Sequence, residues 1–240
     1  MSTNTRYRPT SLSTALALGL ALVALDAGAA DAPKSVMDYY QRIPESLFPD
    51  SSKLELKRTK SGWITHSPST DAEISATVDT KNGYIEFIDE GTGGGDVKTQ
   101  VALFLKEDKS PLVAISESSF DGVASSGKLA FVAPDGGQWK AVTDSVLPAL
   151  RLEDFADSGC LAAIQPDNKE TLGKEGILYD LPRQGTTIRA SLQVSRFMLQ
   201  EKFQNDEAKP PCPVKSIREL KWDRKAGRFT LDPAKPAVKK

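Results

Sequence analysis

Four apolar-rich runs, Ile74–Val78, Tyr84–Ile88, Val97–Leu105 and Leu112–Ile115, follow one another with a turn signal between each pair, and nothing else in the sequence limits the fold so strongly. Asn82-Gly83 offers two residues that tolerate positive φ, as a two-residue hairpin turn needs. Gly91–Gly95 is a longer flexible link, and Asp108-Lys109-Ser110-Pro111 closes the third turn. Runs so joined pair with their sequence neighbours, so the stretch predicts an antiparallel meander that seeds the main sheet. Within Tyr84–Asp89 both alternating sets carry large apolar side chains, and Val97–Leu105 ends in Val-Ala-Leu-Phe-Leu. Strands apolar on both faces belong in the middle of a sheet.

The flanks read as follows. Ser35–Arg42 predicts a short helix: Ser35 caps it, Val36, Met37, Tyr40 and Ile43 fall near helical spacing, and Pro44 stops it. The proline-bounded residues 43–49 suit an irregular segment over the core edge. Lys53–Lys57 alternates leucines with charges, the pattern of a half-buried strand, and Trp63-Ile64-Thr65 begins its return. Lys128–Val132 and Trp139–Val142 predict a hairpin around Pro134-Asp135-Gly136-Gly137. Thr143 or Asp144 then caps a helical turn or two, which Asp157-Ser158-Gly159 stops. Gln165–Gly176 is polar, with Pro and Gly, and reads as an exposed loop. The last third is β again: Ile177–Leu181, Thr186–Val194 with a break near Ser195-Arg196, a proline-rich loop over Asn205–Pro213, and a closing hairpin turning at Lys225-Ala226-Gly227.

The expected class is α+β, mainly antiparallel β: a meander sheet with a short N-terminal helix and a C-terminal β region. The organisation expected is a signal peptide over 1–30, the central sheet region with its helix over 31–157, the C-terminal β region packed on it over 158–232, and a flexible tail over 233–240.

The leader assignment rests on Arg6 and Arg8, the apolar run Ala15–Leu25, and the small residues Ala27-Gly28-Ala29-Ala30 where a signal peptidase cuts. The run falls short of the roughly 20 residues of a membrane span. No Cys follows it to take a lipid, and the arginines are split by Tyr7, so general secretion is the route expected. No stable membrane span is expected after cleavage. The address is periplasmic or secreted. Cys160 and Cys212 are the only cysteines, and in an oxidising compartment an isolated pair reads as a disulfide.

Charge narrows the partners. The whole chain carries a net charge of −1, without the basic excess of a nucleic-acid binder. The clusters Lys57-Arg58-Thr59-Lys60 and Lys235…Lys240 read as solvated surface.

Catalytic chemistry is sparsely provided for. His66 is the single histidine, so any Ser–His–Asp or Cys–His arrangement has to use it, and it stands at a strand-to-turn boundary. One histidine excludes multi-histidine metal centres. Gly91–Gly95 lacks phosphate-loop spacing, and a strand, not a helix, follows it. Asp89, Glu90 and Asp96 flank that link and form a candidate loop site, where clustered oxygens suit Ca²⁺, although the spacing matches neither an EF-hand nor a nonapeptide repeat. No metal site or cofactor is assigned. Asp89, Glu90, Asp121 and Asp135 sit at strand ends or turns, where glycoside-cleaving carboxylates would be placed and where ordinary solvated acids also stand. With no catalytic residues identified, the expectation is a non-enzymatic binding or envelope-associated module, an inhibitor being one version, with a protein or glycan partner in the cell envelope. The rival is a carboxylate-dependent hydrolase acting on glycan.

Overall fold

A computed structural model describes residues 35–91, 95–204, 209, 211–213 and 215–233. The expected leader with its expected cleavage point, the middle of the glycine link and the expected tail from residue 234 lie outside these residues.

The meander dominates. β1 (Lys57–Arg58), β2 (Trp63–His66), β3 (Glu73–Asp79), β4 (Tyr84–Asp89), β5 (Asp96–Leu105), β6 (Pro111–Phe120), β7 (Ser125–Asp135) and β8 (Gln138–Ala141) form one sheet in sequence order, antiparallel throughout. A second antiparallel sheet is built from β9 (Ile177–Asp180), β10 (Thr187–Gln193), β11 (Lys215–Asp223) and β12 (Arg228–Leu231), in the order β12-β11-β10-β9. The expected class, mainly antiparallel β with a few short helices, is the class observed.

The central strands are apolar on both faces because both faces are covered. On one, Ile85, Phe87, Val101, Val113, Ile115 and Val132 pack under α1 (Val36–Arg42) and the segment after it. On the other, Tyr84, Ala102, Phe104, Leu112, Ala114 and Phe131 meet Ile188, Ala190, Leu192, Leu220 and Phe229 of the second sheet. Phe229 sits between rings there, with centroids 5.1 Å from Phe104, 5.2 Å from Phe131 and 4.9 Å from Trp222.

Polar groups fix how β9 lies on the meander. Gln100 on β5 donates to the Tyr84 hydroxyl (2.7 Å) and to Glu86 (2.8 Å), and its own carbonyl accepts from Leu181 N (3.1 Å). Burial and the neighbouring Glu86 carboxylate push the Tyr84 hydroxyl up, so it stays a donor to Glu86 (2.7 Å). Ser116 donates to Tyr179 O (2.7 Å). Gly127 permits the approach: a Cβ there would stand 2.9 Å from Leu178 Cα, and closer still to the Ile177 carbonyl.

α1 has the expected cap. Ser35 N donates to Asp38 (2.8 Å), and the Ser35 hydroxyl accepts from Asp38 N, a reciprocal capping box. Lys53 reaches back to the end of the helix and donates to Ile43 O (2.7 Å) and Gln41 O (3.1 Å).

Several local expectations are corrected. The alternation at Lys53–Lys57 does not make a strand; only Lys57–Arg58 pairs. The carbonyls of Leu54 and Glu55 accept from the Tyr40 hydroxyl (2.5 Å) and the Thr65 hydroxyl (3.0 Å), so side chains take the place of a ladder. The turn after β3 holds four residues, because Asp79 pairs with Tyr84. Gly83 alone has positive φ there, 69°, and Asp79 holds Asn82 through its amide (3.1 Å) and side chain (2.9 Å). Asp157 does not stop a helix but starts one, α3 (Ser158–Ala163; α2 is Thr143–Val146), by accepting from Cys160 N (2.8 Å). Gln165–Gly176 is no loop: it contains α4 (Pro166–Glu175). Pro166 occupies the first turn, where its missing N–H costs nothing, and Leu172 alone is fully buried, which left no helical stripe in the sequence. The break after β10 is real: two 3₁₀ turns follow, Arg196–Met198 and Glu201–Phe203.

Cys160 and Cys212 are joined, with Cα atoms 4.6 Å apart. The bridge ties α3 to the chain just before β11. No described helix is long and apolar enough to cross a membrane.

Candidate functional site

Past the end of the apolar cover on the α1 side, the meander changes character. On that face β4 offers Phe87 and then Asp89, β5 Thr99 and Val97, β6 Glu117 and Ser119, and β7 Lys128 and Ser126. These residues stand in two rows across the sheet: Phe87, Thr99, Glu117, Lys128, and beyond them Asp89, Val97, Ser119, Ser126. The irregular segment after α1 crosses above them, with a 3₁₀ turn at Pro49–Ser51. Between segment and sheet lies a cavity of about 340 Å³, lined also by Asp50, Ser52, Leu54 and Pro68.

Glu117 is the central group. It is only 8 % exposed. The Ser52 hydroxyl donates to its Oε1. Burial and the nearby Asp50 carboxylate push its carboxyl up to about 7, against the opposing pull of Lys128. Lys128 is engaged at the rim, where its ammonium bonds both Asp50 oxygens (2.7 and 2.6 Å), and that contact raises its own value. Asp50 holds a left-handed backbone, φ 52°, which Asp tolerates better than most residues. That conformation turns the segment over the cavity.

The other wall is quieter. Asp89 accepts from the Ser67 hydroxyl (2.7 Å) and from Gly91 N (3.1 Å). Ser119 and Ser126 share a hydrogen bond (2.8 Å). Leu54, Pro68, Phe87 and Val97 supply the apolar surface.

Of the three acids flanking the glycine link, Asp89 alone lines this cavity. Glu90 is exposed beside it, and Asp96 opens β5 in solvent, against Phe120 of β6. Among the described residues, no three His, Cys, Asp or Glu side chains are placed to hold a metal ion. Asp121 and Asp135 serve their turns: Asp121 accepts from Val123 N (2.9 Å) and Ala124 N (2.7 Å), and Asp135 pairs with Lys140 (2.6 Å). His66 is exposed and bonded through Nδ1 to Asp71 O (3.2 Å), away from the cavity lining.

Glu117 went unnoticed because the apolar run ends at Ile115. The signal was parity. In a strand carried through to Phe120, Glu117 shares a face with Val113 and Ile115, and a lone acid on a buried face is worth singling out.

No family model matches the chain, and no curated protein matches it. Among solved structures it is similar to a domain of an uncharacterized protein from Porphyromonas gingivalis W83, at 14% identity and a TM-score of 0.47, over 84% of this chain and 100% of that one. Likeness at that level says nothing about function.

Proposed function

We propose that the protein is an exported, non-enzymatic binding module of the cell envelope, and that the cavity at Glu117 is its ligand site. One observation carries the reading. The cavity combines apolar walls with a few convergent polar groups, the usual build of a small-molecule site, and its hydroxyls have no histidine beside them to activate them. Export draws on the leader pattern, and the Cys160–Cys212 bridge is compatible with it, since such bonds persist in the periplasm and outside the cell. N-terminal sequencing of protein from the periplasmic fraction should begin between Ala30 and Pro33; intact Met1 in cytosolic protein contradicts export.

The test of the site is a thermal-shift screen of small envelope metabolites on the mature chain and on Ser126→Phe, which fills the cavity from β7. Ligands that stabilise the first and not the second support the reading. Ligands that act equally on both, or no ligand at all, contradict it.

The rival, a carboxylate-dependent hydrolase of glycan, has one observation in its favour: Glu117 is pushed into the range of a general acid, with Asp50 and Asp89 on the same cavity. The lining weighs against it. Phe87 is the single aromatic on the wall. Release of reducing ends from cell-wall glycan, lost in Glu117→Gln, would establish the enzyme.

A further inference from the structure

We propose that the ligand of this cavity is a small organic cation, a protonated amine on an apolar body, whose ammonium pairs with Glu117; this rests on the cavity being the ligand site.

The charges around the space are unbalanced. Asp50, Asp89 and Glu117 line it against one cation, Lys128. Both described hydrogen bonds of that ammonium go to Asp50, which neutralises the pair and leaves Glu117 a serine hydroxyl as its hydrogen-bond partner. A carboxyl that has lost water without gaining a cation is the group an incoming cation stabilises most. An anion entering the same space meets Asp89, and among the described lining residues the one ammonium is taken up by Asp50. The polar groups also fit a donor-only ligand. Carboxylate oxygens accept, the hydroxyls of Ser52, Thr99, Ser119 and Ser126 can accept, and an ammonium has three donors and no acceptor. A metal ion is the poorer fit, because the carboxylates are not grouped around one point. Size agrees: 340 Å³ is the volume of about eleven waters at roughly 30 Å³ each, room for a small organic molecule, and Leu54, Phe87 and Val97 offer a hydrocarbon body its surface.

Binding then moves a proton. Glu117 faces Asp50 from the turn above it and Lys128 from β7; Asp89 on β4 lies across the cavity, and Tyr40 on α1 feels its charge. Pairing with an ammonium stabilises the carboxylate, so binding releases the carboxyl proton into solvent, and binding strengthens as pH rises.

Three probes of matched size decide the matter: 3-phenylpropylamine, 3-phenylpropanol and 3-phenylpropanoate, titrated calorimetrically into the mature chain, Glu117→Gln and Ser126→Phe. The amine should bind at least tenfold more tightly than the alcohol, with the propanoate weakest. Its affinity should rise about tenfold between pH 6 and 8, the change in ionised fraction of a group titrating near 7. Glu117→Gln should bind the amine more weakly and without that pH dependence. An alcohol that binds as tightly as the amine, or amine binding indifferent to Glu117→Gln, overturns the proposal. If no probe binds while other ligands show shifts lost in Ser126→Phe, the cation class falls and the cavity stands. If nothing binds in either experiment, both fall.

Discussion

Replacing Glu117 by Gln keeps the shape and the hydrogen bond from Ser52 but removes the charge. In the folded chain the carboxyl is pushed from an ordinary 4.5 up to about 7 by burial and by Asp50. An acid raised in this way binds more protons folded than unfolded between those values. The stability it contributes is complete below about pH 4.5 and is lost as pH climbs through 7. The shift amounts to about 3 kcal/mol, at 1.36 kcal/mol per unit. Water entering the open mouth screens part of this, so about 1–2 kcal/mol is the expected difference. The assay is urea unfolding of both chains, followed by tryptophan fluorescence, in half-unit steps from about pH 4 to 8.5. Near pH 4.5 the two should be equally stable, and above 7 the Gln chain should lead by about 1–2 kcal/mol with the urea slope unchanged. Titrating groups remote from the cavity cancel in the comparison. A difference that does not change with pH refutes the reasoning.

Three more outcomes are expected. Gly127→Ala pushes a methyl into β9 and should cost about 1–3 kcal/mol, measured by urea unfolding, whereas Ala at the open Gly173 should be far milder. Gln100→Leu leaves the Leu181 N–H, the Tyr84 hydroxyl and Glu86 short of a partner in the seam, and should lower stability by about 2–3 kcal/mol, a melting shift of roughly 5–10 °C. Reduction of Cys160–Cys212, which are 52 residues apart, should remove up to about 4 kcal/mol and speed amide exchange in β10–β12 more than in β4–β6.

The sequence carried the meander because each strand there has its own apolar run and its own turn residues, and pairing is between sequence neighbours. It was silent where structure depends on distant partners. Residues 53–56 alternate like a strand, but the carbonyls of Leu54 and Glu55 accept from Tyr40 and Thr65, which only the folded chain brings near. α4 is a helix held by one buried leucine, so its sequence is indistinguishable from a polar loop. The site divides the same way. Asp89 was legible as a strand-end acid, while Glu117 became significant only when the segment around Asp50 and Ser52, some 65 positions earlier, closed over it.

The most direct test is the carboxyl ¹³C shift of Glu117, followed by NMR against pH with and without 3-phenylpropylamine. A midpoint near 7 in the free protein, moving clearly lower when the amine is bound, is the predicted result. A midpoint between about 4 and 5, unmoved by the amine, would mean that Glu117 is an ordinary solvated acid and that no cationic ligand pairs with it.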